Sequence, residues 1–172
     1  MKGTPYSTQR SIWVIVKPIL LKSIALILLF LCAATTYLFF EYWLPHRTIY
    51  DTSFIDLQDD YLLRKKVRNA CYKVLSHRIG NYHAVFIIIG DIGNKDSIPY
   101  LIRTLKRLHQ KPYTERSNNM SSIIRCANCL WQLTGMEFRG DYEAWENWWQ
   151  ETGQHLPFDE EKGQLVLPEK SE

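Results

Sequence analysis

The sequence predicts an all-α protein in which a single transmembrane helix precedes a small helical domain. Residues 23–40 form an apolar run without a charge. Beyond residue 60, apolar residues recur at intervals of three and four, which is the period of an amphipathic helix. An apolar segment that ends in glycine also occurs twice, 41 residues apart. The chain therefore reads as an N-terminal anchor followed by paired helices.

The run at residues 23–40 is long enough to cross a bilayer. Its eighteen residues, SIALILLFLCAATTYLFF, would span about 27 Å as a helix. Lipid offers no partners for backbone N–H and C=O groups, so a helix is required. A cleaved signal peptide is the alternative, but Ala33 and Ala34 lie inside the run and bulky side chains follow them. We expect an uncleaved transmembrane helix over residues 23–44.

Charges beside the run predict its orientation. The N-terminal flank carries only bases, namely Lys2, Arg10, Lys17 and Lys22. The C-terminal flank carries Arg47 with Glu41, Asp51 and Asp56. The positive-inside rule then makes residues 1–22 a basic cytoplasmic segment and places the rest of the chain outside the cytoplasm. In a bacterium this compartment would be the periplasm.

Composition divides the remaining chain into a linker at 45–59, a helical domain at 60–153 and an acidic, flexible tail at 154–172. From residue 42 onward, seventeen bases balance seventeen acids, but the signs segregate. Residues 64–116 hold twelve bases and three acids, whereas residues 137–172 hold ten acids and three bases. Solvated helix faces would explain this pattern, as would a basic surface for an acidic partner.

Five helices are expected in the domain, at residues 60–76, 82–92, 98–108, 120–133 and 142–151. The segment 82–92 is rich in β-branched residues and could be a buried strand. Gly93 as a stop signal and a turn with Asp96 or Ser97 as N-cap favour a helix. Pro99 then falls in the first turn of the next helix, where it is tolerated. A polar loop is expected at 109–119.

Two segments are similar to each other and to a known family. AVFIIIGDIG (84–93) and CANCLWQLTG (126–135) each place apolar pairs before a terminal glycine. IIIGDIGNKDSIPYLIRTLKRL resembles the HEAT-like repeat found in phycobilin lyases and many bacterial scaffold proteins. LTGMEFRGDYEAWENWWQETG (133–153) resembles the Trp-rich unit that often closes such repeats.

The resemblance covers residues 60–153 and implies a short HEAT-like α-solenoid with a Trp-rich capping helix. Such repeats are chiefly binding surfaces. The chain has barely two repeats, its helix at 84–92 is β-branched rather than Ala-rich, and its loop at 109–119 is long. We therefore do not expect a long curved groove.

Trp145, Trp148 and Trp149 share one helix face, since they are spaced at i, i+3 and i+4. A terminal repeat exposes its apolar side, so we expect these residues to cover the open end of the stack. They could instead anchor a protein partner, because Trp is enriched in interface hot spots.

Cys126 and Cys129 form a C-x-x-C motif in mid-helix, without the strand that precedes a thioredoxin-type motif. We expect small core residues; redox or metal chemistry, and a disulfide from Cys71 to either cysteine, are alternatives. The five histidines have no metal-ligand spacing, and Asp91 and Asp96 fit helix-end roles better than an acid–base pair. No cofactor, metal site or small-molecule substrate is expected. The basic stretch has no nucleic-acid-binding motif.

The expected function is a non-catalytic protein-interaction scaffold on a membrane. Its partner would be a protein that is itself membrane-associated, with anionic lipid headgroups as a further possibility. The candidate binding surface is a basic helix face made of Arg64, Lys65, Arg68, Arg103, Lys106, Arg107 and Lys111. One alternative is a structural subunit that packs through the small residues at 32–36 of its transmembrane helix. The other is a lyase-like or thiol-redox enzyme.

Overall fold

A computed structural model describes residues 6–52, 57, 60–77, 82–110 and 119–168, with side chains from residue 20 onward. The chain is mostly helical and divides into two compact units, Met1–Glu41 and Tyr42–Glu172. The first unit holds the apolar run, and the second holds the remaining helices and a small hairpin.

Helix α1 covers Tyr6–Leu38, and a π-helix at Phe39–Trp43 follows it. The segment Leu20–Asp51 is long and apolar enough to cross a membrane, with a mean hydropathy of 2.3 in its most apolar window. Two of its hydroxyl groups are bonded within the helix: Thr35 donates to the carbonyl oxygen of Leu31 at 2.9 Å, and Thr36 to that of Cys32 at 2.8 Å. The prediction of one long apolar helix near the N-terminus is confirmed.

Helix α2 spans Leu44–Asp51, in the region predicted to be a linker. Pro45 occupies its first turn, where a missing N–H costs nothing, and Ile49 lies buried against the next helix. The expectation of a linker beginning at residue 45 is therefore wrong over this helix. A proline can follow the end of one helix and still suit the first turn of the next.

The next two helices are α3, Tyr61–Ser76, and α4, Tyr82–Ile92. Asp60 caps α3, because its carboxylate accepts the backbone N–H of Leu63 at 3.0 Å. The helix predicted for 82–92 is confirmed. Gly93 follows α4 and lies so close to Leu133 that an added Cβ would come within 3.0 Å of its side chain.

Three further helices complete the domain: α5, Ser97–His109; α6, Met120–Thr134; and α7, Tyr142–Glu151. Gly135 ends α6 with φ +71, a conformation that favours glycine. Asp96 occupies the N-cap position of α5, as one of the two predicted residues, but its side chain makes no capping hydrogen bond; the Ser97 hydroxyl accepts the N–H of Asn94 at 3.0 Å. Residues 111–118 of the predicted loop lie outside the described residues.

The helices pack as two successive pairs. Helix α3 contacts α4, and α5 contacts α6, so each pair is formed by neighbours along the chain. The first members, α3 and α5, also touch each other, as do the second members, α4 and α6. Helix α7 then packs on α5. The residues between them form one core, which includes Val67, Leu75, Phe86, Ile89, Ile98, Leu105, Leu130, Leu133 and Trp145.

The segment after α7 is folded up to residue 168, which corrects the prediction of a flexible tail from 154. A 3₁₀ turn at Gly153–His155 leads into antiparallel strands β1, Phe158–Asp159, and β2, Gln164–Leu165. Leu165 is buried, and β2 contacts α6. The acidic composition suggested disorder, but one apolar side chain docks the hairpin on the core. Residues 169–172 lie outside the described residues.

Candidate interaction surface

The predicted basic face is divided among several structural roles, beginning with Arg68. This side chain is buried, and its guanidinium donates a 3.1 Å hydrogen bond to the carbonyl oxygen of Ile92 at the end of α4. A cation at a helix C-terminus satisfies an unpaired carbonyl and complements the helix dipole. Arg68 therefore joins α3 to α4 and is not available to a partner.

Arg107 plays the same role at the end of α3. Its guanidinium donates to the carbonyl oxygens of Ser76, at 2.9 Å, and of Leu75. It also donates to the Thr104 hydroxyl at 2.9 Å. These bonds hold the C-terminal turn of α3 against α5, so Arg107 stabilises the contact between the two helix pairs.

Lys106 forms an ion pair with Glu146 of α7, with 2.8 Å between nitrogen and oxygen. The hydrogen bond with Glu146 raises the pKa of Lys106. The pair joins α5 to α7, and about a third of each side chain is exposed, at 38% and 34%. Exposure of this degree implies a modest contribution to stability.

The remaining basic candidates are more accessible but separate. Arg103 is exposed and lies over the Tyr100 ring, 4.7 Å from its centroid. Lys65 is exposed, and Arg64 is half-buried with its Nε buried and unbonded within the described part of the chain. Lys111 lies outside the described residues. Of the six described candidates, Arg103 and Lys65 alone are largely exposed, so the structure shows no continuous basic face.

The three tryptophans of α7 differ in burial. Trp145 is completely buried, and its indole N–H donates to the carbonyl oxygen of Arg139 at 2.9 Å. Its ring meets Phe138 edge-on, with 4.9 Å between centroids. Trp148 and Trp149 are half-buried against the same core. Trp145 is therefore a core residue, and an interface role is open only to the other two.

The cysteines of the domain are free, buried thiols, as predicted for small core residues. Cys126 donates to the carbonyl oxygen of Leu101 at 3.3 Å, and Cys129 to that of Phe86 at 2.8 Å. Burial raises the pKa of Cys71 and of Cys129 to about 12, and that of Cys126 well above its ordinary value. All three stay protonated at neutral pH, and a protonated thiol is a poor nucleophile and metal ligand.

A surface that the sequence did not suggest lies between α4, α6 and the hairpin. Two adjoining clefts, of about 210 and 340 Å³, share Asp91 and Gln132; we call them together the α4–α6 groove. The first cleft is also lined by Ile87, Arg125 and Asn128. The second is lined by Gly90, Trp131, Lys162 and Gln164.

Both apolar and polar groups of the groove are open to contact. Ile87 is 42% exposed and Trp131 is 54% exposed, although each belongs to a helix with a large buried face. The carboxylate of Asp91 and the guanidinium of Arg125 form no hydrogen bond or ion pair with the described residues. Partial burial raises the pKa of Asp91. The Nζ atom of Lys162 lies 3.6 Å from Oδ2 of Asp159, so the carboxylate partly offsets the positive charge of Lys162.

The similarity between the segments 84–93 and 126–135 contains a signal for this groove. With the 41-residue offset that aligns Ile89 with Leu130, three groove positions of α4 align with three of α6: Ile87 with Asn128, Gly90 with Trp131, and Asp91 with Gln132. Equivalent positions of stacked helices therefore line one surface. Comparing the non-core positions of the two similar segments, rather than the distribution of charges, would have identified the groove.

Within the described residues, no group of three or more His, Cys, Asp and Glu side chains is arranged to hold a metal ion. Comparisons with protein-family models, curated proteins and solved structures gave no match. Function is therefore inferred from the chain's own residues.

Proposed function

We propose that the chain is a membrane-anchored, HEAT-like helical repeat module that binds a protein partner without catalysing a reaction. The observation that carries this proposal is the packing of the two helix pairs. First helices pack on first helices and second on second, with an exposed groove along the second members, α4 and α6. Stacking of this type presents repeated helix faces to a partner.

The Trp-rich helix α7 fits the role of a cap. It packs on α5, the first helix of the second pair, where a third pair would otherwise continue the stack. Trp145 fills the core there, and the polar residues Asn147, Gln150 and Glu151 face outward. A capping element needs one apolar side and one polar side.

The apolar helix α1 supports the proposal that the chain is anchored in a membrane. Its Thr35 and Thr36 hydroxyls are satisfied inside the helix, so they require no neighbouring helix for hydrogen bonding. The basic N-terminal flank favours a cytoplasmic N-terminus and a domain outside the cytoplasm. Confinement to a membrane raises the effective concentration of the module near membrane-associated partners.

The buried thiols favour binding over thiol chemistry. Cys126 and Cys129 donate to backbone carbonyl oxygens inside the core; Cys126 is fully buried, and Cys129 is 3% exposed in the wall of the first cleft. A redox pair needs at least one accessible thiol with a lowered pKa, whereas burial raises the pKa of both.

The proposal is tested by affinity purification of the full chain from detergent-solubilised membranes. A variant with two exposed substitutions, Arg103→Glu and Lys65→Glu, tests the basic helix face and leaves Arg68 and Arg107 unchanged. We expect the wild-type chain to retain a protein partner at a stoichiometric ratio. Absence of any enriched protein across several detergents would contradict the proposed function.

A structural subunit that packs through its transmembrane helix is the rival function, favoured by the small residues at 32–36. Replacing residues 20–40 with an unrelated apolar helix distinguishes the two. A tether tolerates this exchange with the partner retained, whereas a packed subunit loses its complex.

A further inference from the structure

The α4–α6 groove has the composition of a peptide-binding surface. We infer that the α4–α6 groove holds an extended segment of the protein partner. A basic side chain of this segment would lie at Asp91, and an acidic side chain would lie at Arg125. This inference rests on the proposed binding function and assigns it a site. If the groove is the main binding site, the basic helix face is a secondary binding surface.

The amides of the groove favour an extended occupant. Asn128 and Gln132 line the first cleft one turn apart on α6, and neither side chain forms a hydrogen bond with the described residues. An amide side chain offers both donors and an acceptor, which suits the free N–H and C=O groups of an extended backbone. A helical segment would have used those backbone groups internally.

Charge complementarity specifies the side chains of the occupant. Asp91 lines both clefts, and the exposed Trp131 lines the second cleft with it. A carboxylate and an aromatic ring in one cleft can attract a Lys or Arg side chain through charge and through cation–π interaction. Lys162 also lines this cleft, but it lies 3.6 Å from Asp159. Arg125, in the first cleft, has no ion-pair partner among the described residues and suits a carboxylate.

Apolar contact completes the surface. Ile87 is 42% exposed in the first cleft, and Trp131 is 54% exposed in the second. Gly90 lines the second cleft, and a side chain there would meet Gln132, since an added Cβ would lie 2.5 Å from its amide oxygen. A segment that alternates charged and apolar side chains could place its apolar residues on Ile87 and Trp131.

Photo-crosslinking in native membranes tests the inference. Benzoylphenylalanine replaces Ile87 in the full chain, and the control position is Leu62 of α3, which is 73% exposed and outside the groove. The adduct is digested and the crosslinked segment of the partner is sequenced. We expect an adduct from position 87 whose segment carries both a basic and an acidic residue.

Charge reversals then locate the contact. Asp91→Lys and Arg125→Glu should each lower the adduct yield from position 87 by about fivefold, the effect of losing one exposed ion pair. Asp96→Lys and Lys66→Glu, both exposed outside the groove, should leave the yield unchanged. Circular dichroism melting of each purified variant establishes that its fold is retained.

Four results would overturn the inference. An adduct from position 87 that is insensitive to both reversals, or a segment without the two charges, rejects this site chemistry. Adducts from position 62 but not 87 place the partner elsewhere and leave the proposed binding function standing. Absence of adducts from both positions would also overturn the inference, and the affinity purification then decides whether the binding function stands.

Discussion

The guanidinium of Arg107 lies 2.9 Å from the carbonyl oxygen of Ser76, where it closes the C-terminal end of α3 from the neighbouring helix α5. Arg107 also reaches Leu75, one residue earlier. The contact therefore stabilises the packing of one helix pair on the next. Arg68 makes the equivalent bond to Ile92, at the end of α4.

Arg107→Ala should lower the free energy of unfolding by about 2 kcal/mol, because it removes charge-assisted hydrogen bonds to carbonyl groups at a helix end. The matched variant Arg103→Ala, in the same helix but exposed, should cost about 0.5 kcal/mol. Urea denaturation of the full chain in detergent measures both. Equal losses for the two variants would contradict the structural role of Arg107.

Trp145→Ala should destabilise the domain by about 4 kcal/mol, since it empties a fully buried volume and leaves the Arg139 carbonyl unbonded. Trp131→Ala, in the groove, should change stability by about 0.5 kcal/mol or less. The same unfolding measurement compares them. A stability loss at Trp131 as large as that at Trp145 would show that Trp131 is a core residue.

Domain stability should fall as pH rises above about 9. Burial raises the pKa of Cys71 from 9.0 to about 12, so the native state keeps the thiol proton while the unfolded chain loses it. Stability from this group is complete below the unfolded pKa and declines between the two values, by about 1.4 kcal/mol per pH unit and per thiol.

Cys71→Ala supplies the control for this pH dependence. Its stability should decline less steeply between pH 9 and 11 than that of wild type, because one of the buried thiols no longer titrates. Chemical denaturation at a series of pH values gives the slopes. Identical slopes for the two proteins would mean that the Cys71 thiol ionises equally in both states.

Alanine substitutions at Gly135 and Gly163 distinguish the effect of backbone strain on stability from the effect of packing. Both have positive φ, +71 and +63, so alanine should cost about 1 kcal/mol at either position. At Gly135 the new Cβ would also lie 3.2 Å from the Leu167 side chain, whereas at Gly163 it would meet no atom within 4 Å. Gly135→Ala should therefore lower the melting temperature more than Gly163→Ala. The reverse order would contradict the docking of the C-terminal segment on α6.

Helix positions were predictable from sequence because their end signals are local. Gly93 and Gly135 mark the ends of α4 and α6, and Asp60 precedes α3 as a capping residue. The hairpin at 158–165 was not predictable, because its strands are two residues long and its stability comes from Leu165 packing on a distant helix.

The candidate site was less predictable than the fold. Charge clustering suggested a basic face, but Arg68 and Arg107 bind carbonyl groups at helix ends that become neighbours only in the folded chain. Ile87 belongs to a segment that is apolar on all sides, so its sequence context cannot reveal its exposure. The exposed fraction of such a residue depends on which faces of α4 are covered by the helices that pack against it.

The most direct test of a membrane-anchored binding module is quantitative affinity purification of the full chain after its residues 20–40 are exchanged for an unrelated apolar helix. Both this variant and wild type should fractionate with membranes and retain the same protein partner at the same ratio. Loss of the partner on exchange, or recovery of the unaltered chain in the aqueous fraction, would contradict the account.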